Sequence, residues 1–192
     1  MAVLEIVKEG HPVLKKSAKS IRKMTDDIRC LAEDMVETLI SASGAGLAAN
    51  QVARPIRMIA VMHAHDDIRI YVNPRITKWS DDEEFSDEGC LSFPLLYGAV
   101  ARRCGVVVQA QDINMKKCKI DAQGFLARIF QHEIDHLNGI TFTERAEEGS
   151  LRRYTIEELQ KINESDEDES GDVEGEVKAE ETPEQASEET EK

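Results

Sequence analysis

At 192 residues, with 41% hydrophobic and 32% charged side chains, the chain is long enough for one domain with a proper core. No apolar stretch approaches the roughly 18 to 20 uncharged residues that a membrane helix requires, which excludes a membrane span. The first residues, MAVLEIVKEGHPVLKK, lack the continuous apolar core of a secretory signal, and a cytoplasmic protein is expected.

The formal charge of −14 is unevenly spread. Residues 164–192 hold 14 acidic side chains and two lysines, a net of −12, whereas the preceding 163 residues net −2. The acidity therefore describes an appendage and says little about what the body binds. With Val173 and Val177 as its only large aliphatics and no aromatic residue, the segment cannot offset its ordering entropy and is expected to be a disordered tail.

In chain order, Thr25 to Ser43 sets Ile28, Leu31, Ala32, Met35, Val36, Leu39 and Ile40 at helical spacing. Thr25 is the expected N-cap, Asp26 and Asp27 suit the first turn, and Gly44 is the expected stop. After the glycine-rich GAGLAANQ come strand-like runs: IRMIAVM from Ile56, IRIYV from Ile68 and GVVVQAQDI from Gly105. Asn73-Pro74 and Asp112 to Lys116 read as turns between them. A second helix is expected from Gly124 to Asn138, with Leu126, Ile129, Phe130, Ile134 and Leu137 apolar and Gly139 as the stop. The helix-like SLRRYTIEELQKI closes the body, where Leu151, Ile156 and Leu159 are expected to pack on the core. One helix, many strands and a further helix read as an α+β domain. Cys30, Cys104 and Cys118 read as small buried hydrophobes, with no Cys-x-x-Cys spacing to suggest a framework.

The chemistry concentrates in three clusters. His132-Glu133-Ile134-Asp135-His136 puts two imidazoles on one helical face, where both reach a single divalent cation, and sets Glu133 beside them to handle a proton of water. A third ligand is needed, and by chemistry alone Cys90, within Glu88-Gly89-Cys90-Leu91-Ser92, and Glu144 both qualify, with Glu147 and Glu148 as further candidates. Gly44 to Gln51 has the G-x-G-x-x-A spacing of a dinucleotide site, but it follows a helix and precedes a strand, the inverse of what that motif demands.

Together and in this order, GAGLAANQ, EGCLS and QHEIDH resemble the G-x-G-x-A-A-x-Q, E-G-C-L-S and Q-H-E-x-D-H segments of bacterial-type peptide deformylases. With His11-Pro12 and Leu14 near the start, the resemblance covers residues 3 to 146. It implies a catalytic domain over 1–163 in which antiparallel sheets surround a central helix carrying the HExxH motif. It implies Cys90, His132 and His136 as ligands of one divalent ion, Fe2+ in the cell, with Zn2+ or another divalent ion an alternative of different intrinsic affinity. The implied activity is hydrolytic removal of the N-formyl group from formylmethionine of newly made polypeptides, releasing formate.

In that resemblance Glu133 is the acid and base, while the Gln51 side-chain amide and the Leu91 backbone N–H steady the developing oxyanion. Substrate is held as an added strand beside Gly46, its methionine in a pocket of Leu91, Phe125 and Ile129. Partners are formylmethionyl nascent polypeptides and, transiently, the ribosome, with neither DNA nor membrane. Two departures stand out. Leu95 follows Pro94 where many relatives have glycine, so a differently shaped loop is expected. The Glu-rich end, where some relatives carry a basic helix, would repel RNA phosphates. A metallopeptidase with Glu144 or Glu147 as third ligand is the enzymatic rival. A non-catalytic binding module would require neither Glu133 nor Gln51.

Overall fold

The computed structural model describes residues 2–64 and 67–161. The expected acidic tail lies outside the described residues. The chain divides after Tyr154 into two units, Met1–Tyr154 and Thr155–Lys192.

In the first unit, helix α1 spans Asp26–Ser41 and helix α2 spans Gly124–Leu137. Among the described residues eight strands form two antiparallel sheets. Five of them, β1 (Gly46–Ala48), β2 (Met58–Ala64), β3 (Asp67–Trp79), β6 (Gly105–Gln111) and β7 (Lys117–Gln123), lie in the order β1-β2-β3-β6-β7. The other sheet is β4 (Glu83–Cys90), β5 (Phe93–Arg103) and β8 (Arg152–Arg153), in the order β4-β5-β8.

The apolar run of β2 explains the layering. Met58 and Ala60 bury against Leu31, Met35 and Leu39 of α1, whereas Ile59 and Val61 bury with Phe130, Ile134 and Leu137 of α2. Side chains alternate across a strand, so a strand covered on both faces reads as an unbroken apolar run. A smaller core of Val13, Leu14, Phe93, Val100 and Phe142 supports the second sheet.

Several expectations are corrected. Thr25 does cap α1, accepting from the Ile28 N–H, but the helix ends on Ala42, and Ser43 (φ 50) rather than Gly44 takes the left-handed position. Gly44 is needed for space: a Cβ there would lie 2.8 Å from both Leu39 and Leu91. Ile40 is 59% exposed, because at 3.6 residues per turn it falls half a turn from Leu31, and Thr38 takes the buried place instead. Asn73-Pro74 is no turn. It is a bulge inside β3, where Asn73 (φ 52) swings its amide onto the Ile21 N–H and C=O. Cys30 is exposed, and Cys104 and Cys118 are half-buried free thiols.

Arg152–Arg153 is a strand, so among the described residues of this segment helix covers 156–161, where Thr155 and Glu158 cap one another reciprocally. Ile156 is 64% exposed, contrary to the expected packing.

Candidate active site

Helix α2 buries Ala127, Phe130, Ile134 and Leu137 on its core face, which turns His132, Glu133 and His136 toward the end of β4. There the Cys90 sulfur and the two imidazoles offer ligand atoms within 4.8 Å of one another. Cys90 Sγ stands 3.2 Å from His136 Nε2, and the two rings meet edge to face with centroids 4.9 Å apart. Glu144 is spent elsewhere. Its carboxylate accepts from the Thr141 N–H at 2.8 Å and pairs with Lys15 at 2.6 Å, so it is no third ligand.

The donor set fits a divalent ion. Burial disfavours the charged form of both imidazoles, but at His132 the Cys90 sulfur and the Glu88 carboxylate outweigh it and draw a proton in, while His136 is held neutral. A cation among these atoms takes the place of that proton. Glu133 completes the pattern: it is 3% exposed, its Oε2 has no partner, and burial pushes it up to about 7. That is the range in which a carboxyl group both takes and gives protons at neutral pH.

Gly46 explains how Glu133 fits. A Cβ at Gly46 would sit 2.5 Å from Glu133 Oε1, so the glycine lets β1 run against the carboxylate. Gln51 is oriented just as firmly. Its Oε1 accepts from the Ala48 N–H at 2.8 Å, which leaves Nε2 to face Ser92 Oγ at 3.2 Å and Cys90 Sγ at 3.5 Å. The segment ahead of the first helix braces these loops, with Val7 N–H on the Gln51 carbonyl and Glu9 N–H on that of Ser92.

These groups line a cleft of about 550 Å³, which also holds Lys8, Leu91, Leu95, Phe125 and Ile129. His136 lies behind it, fully buried. Of the expected methionine pocket, Phe125 is 66% exposed, and Ile129 is only 6% exposed because it serves the core as well as the cleft wall. Leu95 adopts φ 62, the left-handed region that favours glycine, at a cost of roughly 1–2 kcal/mol. Leu95 thus carries a side chain on a backbone that glycine would hold with less strain.

The sequence reading missed the charges behind the site. Glu88 Oε2 meets His132 Nδ1 at 3.0 Å, leaving Nε2 for a metal. Arg102 donates to both Glu88 oxygens at 2.9 and 3.0 Å and to Asp135 at 2.6 Å. Arg128 adds one bond to Glu88, and Arg145 adds two to Asp135. Glu88 stands two residues from Cys90 and Asp135 lies inside the histidine motif, but the arginine that joins them arrives only through the pairing of Glu84 with Arg102 across β4 and β5.

Burial alone would raise Glu88, yet hydrogen bonds from His132 and Arg102 bring it down to about 2. Its stabilising contribution is therefore complete above its ordinary 4.5 and is lost as the pH falls toward 2. Arg102→Met removes three charge-assisted hydrogen bonds from two buried carboxylates, leaving Glu88 with His132 and Arg128 and Asp135 with Arg145, and should cost about 1–3 kcal/mol of stability. Urea unfolding at pH 7 measures this, and a loss below 1 kcal/mol would contradict it.

A thiol and two imidazoles converging on one point, with a buried unpaired glutamate beside an open cleft, define a metal-dependent hydrolase. The family model for polypeptide deformylase matches residues 3–151. The chain is 44% identical over 148 residues to the peptide deformylase of Natranaerobius thermophilus, covering 77% of this chain and 95% of the relative. Its fold matches the crystal structure of peptide deformylase from Thermotoga maritima with a TM-score of 0.74 at 33% identity, covering 77% of this chain and 99% of that one. A Met-Ala-Ser-bound class I type b peptide deformylase from Acinetobacter baumannii matches with a TM-score of 0.72 at 35% identity, over 75% and 98%. The chain belongs to the peptide deformylase family, enzymes that remove the N-formyl group from newly made polypeptides.

Proposed function

We propose that Cys90 of β4 and His132 and His136 of α2, a central helix between the two sheets, hold one divalent ion, ferrous iron in the cell, and that Glu133, Gln51 and the Leu91 backbone N–H perform the hydrolysis around it. The observation that carries this reading is the convergence of a thiol, two imidazoles, one buried carboxyl group and one oriented amide at and just behind one cleft. When bound, the ion supplies positive charge that acidifies water and polarises a carbonyl oxygen.

Glu133 takes a proton from water as its oxygen attacks the formyl carbon. The C–N bond then breaks, the same carboxyl group returns the proton to the departing amine, and formate leaves. Gln51 Nε2 donates to the oxygen on which charge develops, and the Leu91 N–H is the second donor. The substrate backbone lies along β1, which among the described residues has β2 as its one sheet neighbour and whose Gly46 lines the cleft. The methionine side chain enters between Leu91, Phe125 and Ile129.

Gln51→Glu preserves size and puts a carboxylate where negative charge develops. Turnover should fall by about 10² to 10³ while affinity for the formylated peptide changes little. Normal turnover in that variant would make Gln51 a packing residue.

The reading places the enzyme in the cytoplasm, acting on formylmethionyl chains and meeting the ribosome by a surface other than the acidic end. Among the described residues no helix is long and apolar enough to cross a membrane. Residues 164–192 carry no ligand or motif residue and are proposed to be dispensable for chemistry. Formate release from formyl-Met-Ala-Ser after anaerobic purification, with iron, zinc or no added metal, tests the reading on the full chain and on residues 1–163. Metal-dependent formate, fastest with iron and equal for both chains, is expected. No formate with any metal would overturn the reaction, and loss of turnover in the shorter chain would overturn the dispensable tail.

A further inference from the structure

We propose that Leu95 selects among substrates by the residues that follow the methionine, favouring apolar side chains over small polar ones. The proposal rests on the deformylase reading and extends it to the rest of the peptide.

The β4–β5 register pairs Cys90 with Phe93 but Gly89 with Tyr97, so Pro94, Leu95 and Leu96 face a single step of β4. A bulge of this kind re-aims side chains beside a site. Here it abuts a proposed metal ligand. The bulge is tied from the 152–154 segment: Arg153 donates to the Pro94 carbonyl at 2.7 Å, and the Tyr154 N–H donates to the Leu95 carbonyl at 2.8 Å. Arg153 is itself anchored by Glu9 at 2.8 Å.

The neighbours of Leu95 have structural work. Leu96 packs on the Val13, Leu14 and Phe93 core, and Tyr97 covers Gly89, where a methyl group would lie 2.6 Å from its ring. Leu95 is half-buried, lines the cleft and serves no step of the hydrolysis. Its backbone at φ 62 is one that glycine would hold with less strain, so the side chain and not the backbone accounts for a leucine there. The cleft is large enough for several residues of a peptide. With the methionine taken up between Leu91, Phe125 and Ile129, apolar residues after it cover Leu95, whereas alanine and serine leave it wet.

The test compares kcat/KM for formyl-Met-Leu-Leu and formyl-Met-Ala-Ser in the wild type, Leu95→Gly and Leu95→Asn; asparagine keeps the left-handed backbone with a polar side chain. The wild type should prefer the apolar peptide about tenfold, and both variants should bring the ratio within about twofold, through KM rather than kcat. An unchanged ratio in both variants, or an equal loss on both peptides, would overturn the proposal. Calorimetric affinities for unformylated Met-Leu-Leu and Met-Ala-Ser should show the same ratio. They decide the role of Leu95 even if the wild type releases no formate, an outcome that would sink the deformylase reading alone.

Discussion

Glu133→Ala should keep one metal ion per chain and lose about 10²-fold or more of its turnover, the scale of a general acid and base. The reason is geometric. Glu133 is buried beside Gly46 with Oε2 unpaired, whereas Cys90, His132 and His136 by themselves form a group that could hold a metal ion. Removing an unpartnered buried carboxyl group should not cost stability, because its desolvation is uncompensated in the folded chain. Metal content by elemental analysis, turnover on formyl-Met-Ala-Ser and the unfolding midpoint check the three parts. A variant that lost its metal along with its activity would make Glu133 a ligand.

Cys90→Ser should have a comparably large effect, but through the metal. A serine hydroxyl is a poor ligand, so affinity should fall by more than the 10- to 100-fold that loss of a supporting partner typically costs. Gln51 Nε2, 3.5 Å from the sulfur, would lose a soft acceptor at the same time. Competition with a chelator measures the change. A metallopeptidase-type site would be indifferent to it, and the Lys15 and Thr141 partners of Glu144 already oppose that alternative.

The two helices and the apolar strands were legible because their signals are local: a 3.6-residue stripe in α1 and α2, and an unbroken apolar run in β2. The acid-rich β4 was not. Residues Glu83 to Glu88 carry little strand preference, and they extend because β5 supplies Arg103 opposite Glu83 and Arg102 opposite Glu84. The same contrast holds at the site. The three segments that bring Gln51, Cys90, His132, Glu133 and His136 together could each be read as a short string. The Glu88, Arg102 and Asp135 assembly could not, because it depends on a strand register and on residues 14 and 33 positions apart. Ile40 and Asn73 show the limit of pattern alone, since the width of a buried stripe and the choice between turn and bulge are settled by what packs against them.

The absorption spectrum of the cobalt-substituted protein tests the centre most directly. One cobalt per chain with a thiolate-to-metal charge-transfer band in the near ultraviolet is predicted, abolished in Cys90→Ser and retained in Glu133→Ala. A cobalt site without that band in the wild type, or with the band intact in Cys90→Ser, would contradict it.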